Sequence, residues 1–173
     1  MKIMRILLPY ALFTLKWVKL SIIITPAVPK PGGIPDSASM NNVLRAALLE
    51  GCERFHNEVI GRDDDDPNVL YVSLISQRLD NRGINTFFSF IKNSTLYIEL
   101  PSECHWNFQE SMTSLLDLAE EILGCEKIVI FIRKNKEDIK LLLHSFMYIG
   151  FQVVNPTVYF NREVDYYVVG YEL

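Results

Sequence analysis

Cys104 and His105 stand side by side, and a thiol with an imidazole can supply a nucleophile and its base. Neighbouring side chains on a strand or turn point apart, however, so an ordinary loop pair is the favoured reading. Cys52 and Cys125 have no companion at zinc-ligand spacing. His144, between Leu143 and Ser145, reads as a boundary histidine of a helix, and His56 has no recognisable acid–base context. The run Asp63–Asp66 lacks the alternate-position spacing and central glycine of a calcium loop. Four adjacent carboxylates therefore read as a solvated linker. The Gly32–Gly33 pair lies among prolines, and no G-x-x-x-x-G-K phosphate loop exists. These residues nominate no catalytic group, no cofactor and no metal.

One constellation is left. Asp117, Glu120 and Glu121 fall at i, i+3 and i+4, a spacing that puts three carboxylates on one helix face. Like charges so placed oppose the helix by a few tenths of a kcal/mol each, and they sit near the end where the dipole prefers cations. Charge alone favours a merely solvated face. The functional alternative is a docking surface for a basic partner, where close cross-interface pairs outweigh the local cost.

The elements that must position this face follow from periodicity. Val69–Ser76 and Thr95–Leu100 are rich in β-branched and aromatic residues and read as strands, with Ile84–Ile91 a weaker strand between them. Phe108–Leu123 is an amphipathic helix whose stripe is Met112, Leu115, Leu116, Ala119, Ile122 and Leu123, stopped by Gly124. Lys127–Ile132 is a short apolar run that suggests a central strand. Asn135 is placed to cap a helix over Lys136–Ile149, ended by Gly150, and Phe151–Val154 and Tyr166–Tyr171 follow as strands. Asn41–Val59 has mixed helical character. The order predicts an α/β (α+β) protein with a single mixed β-sheet flanked by helices.

Composition bounds the rest. The chain has 173 residues, 49% hydrophobic and 22% charged, with a net charge of −4. That places it among globular proteins and speaks against a nucleic-acid partner, which wants a basic face. The average hides a division. Residues 1–35 carry Lys2, Arg5, Lys16, Lys19 and Lys30 and no acid, a charge of +5, which leaves −9 on the other 138. A membrane-spanning helix needs about 20 apolar residues, and Lys16 and Lys19 interrupt this stretch. Membrane contact through 1–30 stays open as an alternative, as do a signal peptide and a mitochondrial presequence. The division expected is a poorly ordered basic, apolar leader with a Pro/Gly linker over 1–35, a variable region with the acidic linker over 36–67, and a core over 68–173.

Four segments of that core, Leu96–Pro101 (LYIELP), Leu115–Leu123 (LLDLAEEIL), Lys134–Pro156 (KNKEDIKLLLHSFMYIGFQVVNP) and Asp165–Tyr171 (DYYVVGY), resemble the ornithine decarboxylase antizymes in order and spacing. The resemblance implies a regulator without catalytic activity. It would bind the ornithine decarboxylase monomer as a heterodimer, block homodimerisation, and send the enzyme to the proteasome without ubiquitin. It would also restrain polyamine uptake, meet antizyme inhibitor, and work in the cytoplasm and the nucleus. The implied fold resembles the acyl-CoA N-acyltransferases, although their Q/R-x-x-G-x-G/A phosphate pattern is missing here. An acetyl-CoA-dependent acyltransferase is thus the competing reading.

Residue by residue, Asp117, Glu120 and Glu121 match the family's acidic partner-binding face, and Val154 matches a position used for decarboxylase inhibition. Lys134–Asp138 is a family marker read first as a helix start. The sequence ends at Leu173, where the family commonly continues into an acidic tail, so a contact from that tail is expected to be missing. The N-terminal stretch does not resemble the family's usual one.

Overall fold

Alternation along two neighbouring strands divides the interior in two. Leu96, Ile98, Ile128, Ile130 and Ile132 join one buried cluster, while Tyr97, Val129 and Phe131 join another, because successive strand residues face opposite sides of a sheet. The computed structural model describes residues 10–14, 18–26, 39–61, 66–78, 84–101, 108–159 and 164–173, with 10–26, 39–41 and 108–110 described by backbone alone where they fall in these ranges.

The strands are β1 (Tyr10–Thr14), β2 (Val18–Pro26), β3 (Leu70–Arg78), β4 (Ile84–Lys92), β5 (Thr95–Glu99), β6 (Lys127–Arg133), β7 (Gln152–Val154) and β8 (Tyr166–Glu172). They form one eight-stranded sheet in the order β1-β2-β3-β4-β5-β6-β8-β7. Only β5 and β6 run parallel; every other adjacent pair is antiparallel. The helices are α1 (Ser39–Val59), α2 (Phe108–Asp117) and α3 (Ile139–Ile149). α2 and α3 pack on the first cluster through Met112, Leu115 and Phe146, and α1 packs on the second through Phe55 and Val59. The expected mixed sheet flanked by helices is what the chain forms.

Local chemistry explains the joints. Asn93 and Ser94 have φ of 50° and 54°, the double left-handed pair of a tight hairpin turn, and they bring Lys92 opposite Thr95. Gly150, at φ 114°, ends α3, and the N–H of Phe151 donates to the carbonyl of Phe146 at 3.1 Å. Gly51 lets α1 lie close to the sheet, since a Cβ there would stand 2.2 Å from the Phe88 ring. Buried side chains such as Phe131 and Ile130 each contribute about 1.5–3 kcal/mol by leaving water.

Three expectations need correction. The basic stretch is not without structure throughout, because residues 10–14 and 18–26 are strands paired in register with the sheet. Residues 27–38, which hold most of the Pro/Gly linker, lie outside the described residues. Asn135 does not cap α3. Lys134–Asp138 is turn rather than helix, and Asp138, at φ 57°, immediately precedes the first helical residue, Ile139. Finally, Phe108–Leu123 is not uniformly α-helical, since α2 passes at Leu118 into a π-helical turn that runs to Ile122. The N–H of Leu123 reaches the carbonyl of Leu118 at 3.0 Å. Leu118, the first residue of that turn, lies in the core at 4% exposure.

Candidate functional site

Asp117, Glu120 and Glu121 are all exposed, at the junction of α2 and its π turn. Buried Leu115, Leu118 and Ala119 anchor the segment from below, so the carboxylates are carried on a fixed base. Val154 is elsewhere. It closes β7, half-buried, and packs with the cluster on the opposite side of the sheet from α2. The fold therefore unites the three acids and keeps Val154 apart from them.

Val154 lines a cleft of about 540 Å³ with Lys127, Val129, Tyr159 and Gly170. A Cβ on Gly170 would come within 3.3 Å of Val154 Cγ2, so the missing side chain leaves room for the valine. Lys127 and Glu172 form an ion pair of 3.1 Å at this cleft. Burial raises the Tyr159 hydroxyl above its ordinary range, which keeps it a neutral hydrogen-bonding group there.

A second charged group was not singled out by the sequence. Glu99, at the end of β5, is only 6% exposed. Arg54 Nη2 donates to its Oε2 at 2.7 Å, and Arg133 Nη2 donates to its Oε1 at 2.7 Å. The Tyr166 hydroxyl donates to Oε1 at 2.9 Å. Glu58 Oε2 adds a second carboxylate at 3.4 Å from Arg54 and 3.6 Å from Arg133. Burial pushes the Glu99 carboxyl upward, but Arg54, Tyr166 and Arg133 outweigh it and hold the group below its ordinary value. A carboxylate so saturated with donors is a poor proton acceptor. It closes the carboxyl ends of the parallel pair β5–β6, the region where open α/β sheets usually hold ligands. The available signal was an acid inside an otherwise apolar strand, TLYIEL, since a buried carboxylate needs a partner.

The other nominated residues separate. Cys104, His105 and Asp63 to Asp65 lie outside the described residues. Asp66 accepts from the Asn68 N–H at 2.9 Å and sits 3.6 Å from Lys92. That backbone hydrogen bond, more than the lysine, lowers its pKa. Cys52 and Cys125 are buried free thiols, and burial raises that of Cys125 to about 11. His144 is exposed rather than at a boundary, while His56 is buried edge-on against Phe90 with ring centroids 4.7 Å apart. Among the described residues no group of three or more His, Cys, Asp or Glu could hold a metal ion. Among them, too, no helix is long and apolar enough to cross a membrane.

A family model described as ornithine decarboxylase antizyme matches residues 66–173. Ornithine decarboxylase antizyme 1 of Xenopus laevis is 37% identical over 132 residues, covering 76% of this chain and 59% of the relative. The Aedes aegypti antizyme is 42% identical over 72 residues, covering 41% of this chain and 30% of the relative. Human antizyme 2 is 28% identical over 95 residues, covering 54% and 49%. The chain thus spans less than two thirds of the length of these relatives. Among solved structures, spermidine N-acetyltransferase of Vibrio cholerae aligns with a TM-score of 0.44 and 13% identity, covering 72% of this chain and 74% of that one. A GNAT-family acetyltransferase of Listeria monocytogenes aligns with a TM-score of 0.38 and 10% identity, covering 88% and 95%.

Proposed function

Because this chain belongs to the ornithine decarboxylase antizyme family, we propose that it binds ornithine decarboxylase as a non-catalytic regulator. One chain engages one decarboxylase monomer, prevents the active homodimer from forming, and presents the bound enzyme to the proteasome without ubiquitin. Polyamine synthesis and uptake fall as a result. This regulation takes place in the cytoplasm and the nucleus, with antizyme inhibitor as a further partner.

The observation that carries this reading is the exposed Asp117, Glu120 and Glu121 face, set on buried leucines within the matched region. Three carboxylates with no ion pair among the described residues are available to a basic surface, and such pairs speed encounter and fix orientation. Val154 supplies an apolar contact at a separate place. The saturation of Glu99 also fits a binding protein, since the one deeply buried carboxylate described is engaged by internal donors.

The test mixes the full chain with ornithine decarboxylase and follows mass and decarboxylase activity together. The expected result is a one-to-one complex with loss of activity. Glu120→Lys with Glu121→Lys should weaken binding at least tenfold and reduce its salt sensitivity, because exposed charges act over a Debye length of about 8–10 Å. Val154→Ala should weaken binding with little change in salt dependence. Undiminished binding by the doubly reversed chain would remove the acidic face from the interface.

A further inference from the structure

α3 is apolar on two sides. Ile139, Leu142, Leu143, Phe146 and Ile149 pack on the first cluster. The opposite side of a surface helix is ordinarily polar, yet here it carries Leu141, Met147 and Tyr148 at 69%, 43% and 84% exposure. Lys140 and His144 are exposed beside them. At about 100° per residue these five side chains fall within about 60° of the direction of His144, so they form one continuous face. Ser145, at its margin, is satisfied within the helix, because its hydroxyl donates to the Leu141 carbonyl at 3.0 Å.

The order of the five is symmetric about His144. Leu141 and Met147 lie three residues to either side of it, and Lys140 and Tyr148 lie four. Helical angles put Leu141 and Tyr148 on one flank of the face and Lys140 and Met147 on the other. A second copy of α3, laid antiparallel with a two-fold axis at His144, therefore meets the first on matching terms. Leu141 stands against Tyr148 of the second copy, and the alkyl stem of Lys140 lies along Met147 of the second copy, each contact occurring twice. At the axis imidazole meets imidazole, a group with both a donor and an acceptor. Lys140 is the one charge among the five, and its two copies stand about 12 Å apart along the pair, beyond a Debye length of about 8–10 Å. The groove of an unrelated protein would demand no such symmetry about a midpoint.

We propose that this outer face of α3 is a self-docking surface, on which a second copy of the chain pairs antiparallel about His144. The helix has 11 residues and so offers about 16 Å of contact, which falls short of the roughly 800 Å² that each partner buries in a stable complex. The pairing is accordingly weak and reversible, with a Kd of about 10–100 μM. It is independent of the decarboxylase reading, which rests on the acidic turn and Val154.

Sedimentation equilibrium of the full chain alone, from about 1 to 300 μM, tests the proposal. The expected result is a monomer that becomes a dimer across that range. Leu141→Glu and Tyr148→Glu should each raise the dissociation constant about tenfold or more. Val43→Glu, at a residue of α1 that is 69% exposed, should leave it unchanged. Geometry is read separately, in a chain carrying Cys104→Ser, where Cys52 and Cys125 stay buried. There His144→Cys should be joined to its own copy by a short bismaleimide linker, whereas Asn57→Cys, exposed on α1, should not. A chain that remains monomeric at about 300 μM would overturn the proposal and leave the face to a different protein. Dimers that survive Tyr148→Glu undiminished, or that link at residue 57 as readily as at 144, would overturn it too. The linking result keeps the question decidable if a glutamate variant does not fold, because it leaves the apolar residues of the face intact.

Discussion

Two groups of carboxylates in this molecule have opposite circumstances. Glu99 is buried at the end of β5 and receives hydrogen bonds from Arg54, Arg133 and Tyr166. Asp117, Glu120 and Glu121 are exposed where α2 turns into its π-helical end. Residue type and net charge do not separate the two groups. What separates them is the element beneath. A strand position between two covering layers obliges an acid to find internal donors, whereas the outer face of a helix leaves it to water or to a partner. The lesson is that an acid in a strand reports on how the fold is held, and an acid on a helix face reports on what the fold offers.

Removing the buried group should have the largest effect. Glu99→Ala removes the hydrogen bond that the Tyr166 hydroxyl donates and leaves two guanidinium groups crowded together. Arg54 and Arg133 keep side-chain exposures of 48% and 36%, so water partly compensates them. The expected loss is about 2–3 kcal/mol of unfolding free energy, read from urea denaturation with an unchanged slope. A loss below about 0.5 kcal/mol would show that the ion cluster is ornamental and the comparison false.

Acid should erase the same difference. The folded pKa of Glu99 lies below its ordinary value of 4.5, so the unfolded chain takes up the proton first as pH falls. The contribution of Glu99 is then full above about pH 4.5 and is lost as pH drops through the lower, folded value. Glu99→Gln should therefore be less stable than wild type at pH 7 and should approach it as pH falls below about 4.5. Parallel stability curves across that range would mean that Glu99 is not held ionised by its neighbours. A smaller probe sharpens the point. Tyr166→Phe keeps the ring, over which Arg133 lies at 4.8 Å, and removes one hydrogen bond, for an expected loss of about 1 kcal/mol.

Much of this contrast was legible in the sequence, and the part that was not has physical causes. The strands β3 to β6, the apolar sides of α2 and α3, and the exposure of the three acids follow from periodicity. The β1–β2 hairpin escapes a reading by membrane length, in which Lys16 and Lys19 are disqualifying. A strand needs only about 5–6 residues, and SIIIT is enough to suggest one. Asn135 is no cap because three further residues, Lys136 to Asp138, are used before the helix begins. The Lys136 ammonium there donates to the Pro101 carbonyl at 3.0 Å, a tertiary contact that outweighs capping propensity. Glu99 drew no notice because its partners Arg54, Arg133 and Tyr166 come from α1, β6 and β8, and no local window contains them.

The smallest expected effect is also the most discriminating, because it should have the opposite sign. The combined variant Asp117→Asn, Glu120→Gln and Glu121→Gln removes three like charges carried within five residues at the end of a helix. The isolated helix pays a few tenths of a kcal/mol for such pairs, and carboxylates there also oppose the helix dipole. No ion pair to another element is present at these residues among the described contacts to offset it. Neutralisation should thus stabilise the chain by about 0.3–0.8 kcal/mol, measurable as a higher urea midpoint at low salt that converges on wild type at high salt. Neutralising Glu99 destabilises and neutralising the helix face stabilises. Lost stability in the triple variant would place both groups of acids in the same structural role.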